Sequence, residues 1–307
     1  MTRQRSHRRA AAAGEAGFII VPVLLLLLLL ASLAGSLSVY LSSSARALAL
    51  YDDRLRAAGL FVASMELVAY DQSSVSRPQR KPRGAFSFRL GNASVQVAYE
   101  TEAARIDLNL APKDLIANLF QVLGAQPRDA PGYADRIIGW RTAPKEESLD
   151  GEASLYQAAG LTYSPKGRAF SSIDELWRVL GLPPAMVERA LRFVTVYSGR
   201  PDVNVFAAPP EVIASLPGMT PARMQQFLSQ RDALSRDNAS VVDQLGTADG
   251  LASTQAGDVM RLRSTITFDN GRTAAAEIVI QLAGSEEPYK VVNWRDLDET
   301  ARNGAIR

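Results

Sequence analysis

The sequence lacks the side chains on which many active sites depend. It contains no Cys, and its one His, His7, lies close to the N-terminus. A Cys–His or Ser–His catalytic pair, a thiolate metal site and a disulfide framework are therefore excluded. The acidic residues show no spacing typical of paired catalytic carboxylates, so an enzyme is the least favoured class. The 307 residues, 47% hydrophobic and 21% charged, otherwise indicate a globular chain of about two domains.

The charge is concentrated at one end of the chain. The formal net charge is +2, but residues 1–17 contain four Arg and the single acid Glu15, a surplus of +3 that leaves −1 for the remainder. The four basic residues are Arg3, Arg5, Arg8 and Arg9. The basic character therefore belongs to the N-terminal segment and not to the folded part.

An uncharged run follows this basic segment. Residues 18–40 contain no charged side chain and would form a helix of ~35 Å, enough to cross a hydrocarbon core of ~30 Å. Because arginines flank only its N-terminal side, we expect a cytoplasmic N-terminus and a chain that lies mostly in the periplasm. The apolar three- and four-residue spacing continues over 41–72, which predicts an amphipathic extension of the same helix.

Three interpretations fit this N-terminus. The first is a secretory signal peptide cleaved near Ala34, the second is an uncleaved membrane anchor, and the third is a prepilin leader that ends at Gly17 before the aromatic Phe18. The apolar run is longer than the ~7 to 15 residues of a signal-peptide core. In the third case cleavage precedes the apolar helix, so the helix stays in the product.

The globular part reads as a split antiparallel sheet with a helical insertion, an α+β fold. Residues 84–104 and 257–295 alternate apolar and polar residues around Gly91-Asn92 and Asp269-Asn270-Gly271, as β-hairpins do. Residues 105–250 are predicted to form an inserted all-α domain of helix-hairpin-helix-like repeats, and 296–307 is a polar tail.

The inserted domain contains internal repeats. The segment 106–112 is echoed by 203–209, and each precedes an apolar-periodic helix. Asn109 and Asn204 are predicted to cap these helices. A third unit starts with Ser172 and has Glu175 three residues later, a capping box. Trp140 closes an apolar helical stripe and is expected in the core.

The sequence of this domain suggests two kinds of ligand. Leu216-Pro217-Gly218 between helices is typical of modules that bind DNA phosphates through backbone N–H groups. However, residues 105–250 contain 15 Lys and Arg against 17 Asp and Glu, so we expect no nucleic acid. Asp150 and Glu152 lie in an acidic loop that could bind calcium through carboxylate oxygens, although a solvated loop is the favoured interpretation.

These features together resemble the minor pseudopilin K family of type II secretion. The similarity is carried by residues 106–112, 133–141, 170–176, 193–198 and 203–221. It implies a non-enzymatic inner-membrane protein, cleaved after Gly17 by prepilin peptidase and methylated at Phe18. The implied partners are minor pseudopilins I and J, the major pseudopilin and the inner-membrane secretion platform. The alternatives are a DNA-binding pseudopilin-like module of an uptake machine and a plain membrane-anchored helix-hairpin-helix protein.

The resemblance also bears on two sites. Most pilin-like proteins have a Glu five residues after the cleavage point, whereas this chain has Pro22 there, as the family implies for a subunit at the tip of the pseudopilus. The family is associated with calcium near a Trp followed by aspartates, but here Arg141, Thr142 and Ala143 follow Trp140. No cofactor is therefore required, and calcium is left to Asp150 and Glu152.

Overall fold

The structure is a computed structural model that describes residues 16–144, 151–234, 240–247, 250–283 and 287–297. The chain divides into two compact units, Met1–Gly59 and Leu60–Arg307. The first helix, α1, is Ala16–Ser73, close to the continuous helix over 18–72 that the apolar spacing predicts.

The described part of the first unit is helical. Its segment Ile20–Ser44 has a mean hydropathy of 2.6 and is long and apolar enough to cross a membrane. Two serines in this segment satisfy their hydroxyl groups within the helix: Ser36 donates to the carbonyl of Ser32 (2.5 Å) and Ser43 to that of Tyr40 (2.8 Å). Such bonds lower the cost of placing a hydroxyl group in lipid.

The second unit combines strands with short helices. Its strands in chain order are β1 Arg83–Leu90, β2 Ala93–Thr101, β3 Ile106–Asp107, β4 Val194–Thr195, β5 Val203–Asn204, β6 Ala252–Ser253, β7 Val259–Phe268, β8 Thr273–Leu282 and β9 Tyr289–Asp296. Its α-helices after α1 are α2 Lys113–Val122, α3 Ala130–Arg141, α4 Glu152–Ala158, α5 Pro184–Ala190, α6 Pro210–Ala214, α7 Pro221–Gln230 and α8 Ser240–Leu245. Three 3-10 helices lie at Arg77–Gln79, Glu102–Ala104 and Ile173–Arg178.

The five longer strands form one antiparallel sheet in the order β1-β2-β7-β8-β9. The two predicted hairpins meet where β2 pairs with β7, for example at Val95 opposite Ile266. This confirms that two hairpins far apart in the sequence complete one sheet. Gly91 follows β1 with a positive φ of 59°, which a two-residue hairpin turn requires and which Gly adopts without strain.

Residues 60–73 of α1 pack on one face of this sheet. Phe61 contacts Trp294 of β9 edge to face, with ring centroids 5.5 Å apart. Ser64 forms a hydrogen bond of 3.0 Å with Ser264 at the buried centre of the contact. The buried side chains of this helical segment are Leu60, Phe61, Ser64, Met65, Val68, Ala69 and Gln72. Their three- and four-residue spacing matches one face of a helix, and strand alternation supplies the opposing face.

The insertion between β2 and β7 corrects the prediction of an all-α domain in one respect. It consists of helices, but β3 pairs with β4 and β5 with β6 as parallel strands of two residues each. Strands this short have no alternation to detect in a sequence. A second difference is that the segment after Ser172 is the 3-10 helix Ile173–Arg178.

Candidate assembly site

The features predicted for membrane assembly lie at the start of α1. Gly17 and Phe18, the predicted cleavage site, fall in its first turn, and Pro22 lies inside the helix without ending it. A Pro at this place costs one backbone hydrogen bond, because its nitrogen has no hydrogen to donate to the carbonyl four residues earlier. The apolar segment Ile20–Ser44 follows, as a membrane anchor requires.

The predicted caps Asn109 and Asn204 are not equivalent, which corrects the sequence interpretation. β3 consists of Ile106 and Asp107, and β5 consists of Val203 and Asn204, so the counterpart of Asn204 in the first repeat is Asp107. Asp107 accepts the N–H of Asn109 through Oδ1 at 2.8 Å, and Asn204 accepts that of Phe206 at 3.0 Å. Both side chains therefore close the same Asx turn at the end of a short strand.

Asn109 has a different role from a cap. Its amide oxygen accepts the N–H of Phe170 at 2.7 Å, and its amide nitrogen donates to the carbonyl of Phe170 at 3.1 Å. The side chain thus pairs with a backbone as a neighbouring strand would. It fixes the segment before Ile173–Arg178 to the first repeat.

Two arginines that the sequence interpretation missed complete the repeats. Arg141 ends α3 and donates to the carbonyl of Ala111 at 2.8 Å, whereas Arg231 follows α7 and donates to the carbonyl of Ala208 at 2.8 Å. Each of these carbonyls precedes the Pro that starts the next helix. Burial lowers the pKa of both guanidinium groups, and the carboxylate of Asp107 opposes this shift at Arg141. The sequence signal that could have identified these two residues is an Arg at the end of the second helix of each pair.

Glu175 is the most heavily hydrogen-bonded carboxylate of the predicted site residues. It accepts from Trp140 Nε1 (2.9 Å), Lys166 Nζ (2.6 Å) and the Ser171 N–H (2.9 Å). Burial raises the pKa of Glu175, but the hydrogen bonds from Lys166, Ser171 and Trp140 outweigh burial and lower it to about 2. Ser172 is the N-cap and accepts from the Asp174 N–H. Glu175 reaches back to Ser171 and not to Ser172, so the predicted capping box is shifted by one residue.

The structure describes only one of the two predicted metal ligands. Asp150 lies outside the described residues. Glu152 pairs with Arg136 at 3.1 Å, and burial raises its pKa while Arg136 opposes the rise. Within the described ranges, no three His, Asp or Glu side chains gather closely enough to hold a metal ion. Glu152 is thus the one predicted ligand that the described ranges include, and its carboxylate faces a cation.

The helix-hairpin-helix turn lies beside a backbone carbonyl group. Thr220 caps α7 by accepting the Arg223 N–H. Gly218 has a φ of 85°, and a Cβ built on it would lie 2.8 Å from the carbonyl oxygen of Gly246. The partial negative charge of this carbonyl oxygen disfavours an anion beside Gly218.

A buried ion network joins the sheet to the insertion. Glu102 is fully buried, accepts from Arg261 Nε of β7 at 2.5 Å, and also accepts from the hydroxyl group of Thr195. Arg261 also pairs with Glu277 of β8. Burial lowers the pKa of Arg261, but the two carboxylates outweigh it and raise the pKa. No motif in the sequence marks Glu102, because its partners are remote.

The fold defines a class of protein: a pilin-like subunit, with an N-terminal helix that packs on an antiparallel sheet and a helical domain inserted between two of its strands. Residues 95–199 match the model of the family described as type II secretion system (T2SS), protein K. This match covers about a third of the chain, and together with the fold it supports a minor pseudopilin.

A solved structure shows the same fold. The chain is similar to one in the crystal structure of the GspK-GspI-GspJ complex from the type 2 secretion system of enterotoxigenic Escherichia coli, with 17% identity, a TM-score of 0.57, and coverage of 80% of this chain and 97% of that chain. No curated protein matches the chain. At this identity the likeness is one of fold, and it agrees with the predicted α+β architecture.

Proposed function

We propose that this minor pseudopilin is the non-catalytic tip subunit of a periplasmic pseudopilus that assists the export of folded proteins. Prepilin peptidase cleaves it after Gly17, and the new N-terminal residue Phe18 is methylated. The N-terminus of the precursor is cytoplasmic, the apolar helix anchors the chain in the inner membrane, and the second unit is periplasmic. The role requires no cofactor.

Pro22 is the observation that carries this proposal. A carboxylate at this place in other pilin-like subunits neutralises the free amine of the neighbour already in the filament. An unpaired charge in lipid is costly, and residues 18–40 of this chain contain no acid. A subunit without the carboxylate is poorly suited to add beneath another one, so it enters first.

The insertion supports the same position. It enters the sheet between β2 and β7, which are adjacent strands, and it is held there by the Glu102 ion network. A rigid additional domain is compatible with the end of a filament, where no further subunit has to stack above it. The partners proposed for this end are minor pseudopilins I and J, with the major pseudopilin below and the inner-membrane secretion platform at the base.

N-terminal sequencing of the chain purified from membranes tests the processing step. We expect the mature chain to start at Phe18 when prepilin peptidase is present and at Met1 when it is absent. A start near Gly35 would show a cleaved signal peptide, and an intact N-terminus in both strains would show a plain anchor. Either of these results would contradict the proposal.

Labelling of filaments tests the tip position. Because the chain contains no Cys, a Cys introduced at the exposed residue Thr267 of β7 can be biotinylated without side reactions within this chain. Pseudopili sheared from cells and labelled with gold are expected to carry one label at one end. Labels along the filament would show that the chain adds at internal positions and would refute the tip assignment.

Two further measurements separate the alternatives. A gel shift with duplex DNA is expected to show no salt-sensitive binding, whereas micromolar binding would favour the DNA-uptake module. Calcium added to the purified chain is expected to leave its melting temperature unchanged. A calcium-dependent rise would establish a site around Asp150 and contradict the cofactor-free role.

A further inference from the structure

We propose that a groove between the sheet and the helical insertion binds an extended acidic peptide segment of another protein. The groove lies entirely in the second unit, and its lining residues come from β1, β2, β7, β8, β9 and the insertion. This inference goes beyond the tip role, because binding can be measured on the isolated chain whether or not the chain enters a filament.

Three adjoining cavities form the groove. Their volumes are about 630, 370 and 290 Å³. The first and second share Arg105, Arg261 and Arg263 in their lining, and the first and third share Arg83. Because they share lining side chains, the three cavities are neighbours on the surface of the second unit. We refer to them together as the arginine groove.

The groove has a positive surplus in a chain that is otherwise close to neutral. Eight Lys and Arg residues and five Asp and Glu residues line it. The basic residues are Lys81, Arg83, Arg105, Arg192, Arg231, Arg261, Arg263 and Arg295, and the acidic residues are Glu100, Asp174, Glu188, Asp232 and Glu277. The groove therefore attracts anions, although the chain as a whole carries little net charge.

Several of these cations are not engaged by a close carboxylate. Arg263 lies 3.5 Å from Glu277 and Arg295 lies 3.9 Å from Asp174, with 64% and 53% of their side chains exposed. A charge-assisted hydrogen bond is about 2.7 to 2.9 Å long, so both guanidinium groups retain donors for another anion. Arg105 Nη1 is buried and has no hydrogen-bond acceptor among the described residues.

The shape and the chemistry of the lining favour a peptide over other anions. A guanidinium group binds a carboxylate through two parallel hydrogen bonds. Arg261 is already paired with Glu102 and Glu277, so the guanidinium groups open to a peptide carboxylate are those of Arg263 and Arg295, which line the same cavity. Ile173, Leu191 and Tyr197 add apolar contacts to the lining, which the side chains of a peptide can use beside its carboxylates.

Fluorescence anisotropy of a labelled hexaglutamate peptide with the full chain in uncharged detergent tests the inference. The groove variant combines Arg263→Gln with Arg295→Gln. The control variant combines Arg77→Gln with Arg89→Gln. Both arginines are exposed and lie outside the groove, and their replacement removes the same charge. We expect salt-sensitive binding that is weakened about tenfold in the groove variant and little changed in the control.

Three results would overturn the inference. They are the absence of binding at low salt, an equal loss of affinity in both variants, and displacement of the peptide by anionic phospholipid vesicles or by single-stranded DNA at lower concentration than by unlabelled hexaglutamate. The groove variant should melt at the same temperature as the parent, because both replaced side chains are largely exposed. Failure of the tip assignment would leave these results unaffected.

Discussion

Replacing Glu102 with Gln should destabilise the second unit much more than the same change at nearby Glu100. Glu102 is fully buried, and its Oε1 accepts from Arg261 Nε at 2.5 Å. The Arg261 side chain is only 11% exposed, so water cannot replace the lost charge. Gln keeps the volume of Glu and can still accept a hydrogen bond, which isolates the effect of the charge.

The expected magnitude follows from the partners that remain. Removing one partner of a buried ion pair lowers the free energy of unfolding by about 3 to 5 kcal/mol. Arg261 keeps its second carboxylate, Glu277, so we expect a loss of roughly 2 to 4 kcal/mol. For a unit of this size that corresponds to a fall in melting temperature of about 4 to 16 °C. Glu100 is 36% exposed and pairs with Arg105, so Glu100→Gln should cost less than about 1 kcal/mol.

The assay is thermal unfolding of the purified chain in uncharged detergent, followed by near-ultraviolet circular dichroism. If Glu102→Gln melts within a degree of Glu100→Gln, the buried network does not stabilise the junction and the reasoning is refuted.

Three further predictions concern processing, pH and backbone strain. Gly17→Ala should abolish removal of the leader, whereas Gly14→Ala should be processed normally, as judged by the mass of the membrane-bound chain. Normal maturation of Gly17→Ala would contradict the leader assignment. Because the pKa of Glu175 is lowered to about 2 and its side chain is 13% exposed, its hydrogen bonds should stabilise the fold by about 3 kcal/mol above pH 4.5 and progressively less as the pH falls towards 2. The difference in Trp-monitored melting temperature between the parent and Glu175→Gln should thus shrink on acidification, and a constant difference would be inconsistent with this linkage. Gly218→Ala should lower the free energy of unfolding by about 1 to 3 kcal/mol, since the φ of Gly218 is 85° and an added Cβ would meet the Gly246 carbonyl. Gly132→Ala, in open space within α3, should be neutral or stabilising.

Local patterns in the sequence were sufficient for the larger elements. The apolar spacing that predicts a helix to Gln72 depends only on neighbours three and four residues apart, and α1 ends at Ser73. The turn at Gly91-Asn92 depends on two residues and the alternation around them. The pairing of the two hairpins was also predictable, because each alone exposes an apolar face and an open edge.

The candidate site was predictable only in part. Asn109 has the residue type of a cap, but its partner is the backbone of Phe170, 61 residues further along the chain. The cap-like role belongs to Asp107, which has the same place in β3 as Asn204 has in β5. Residue type suggested the chemistry of these side chains, and only their hydrogen-bond partners in the folded chain showed which residue performs it.

The sequence by itself determined the class of this protein. The basic N-terminal segment, the uncharged run, Pro22 and the period-two hairpins are all properties of contiguous residues, and they predict a long apolar helix followed by a sheet. The tertiary structure alone decided which charges meet. Glu102 lies 93 residues from Thr195 and 159 residues from Arg261, and the arginine groove draws its lining from both hairpins and the insertion. Electrostatic interactions depend on distance in space and on burial, and neither quantity can be read from positions along a chain.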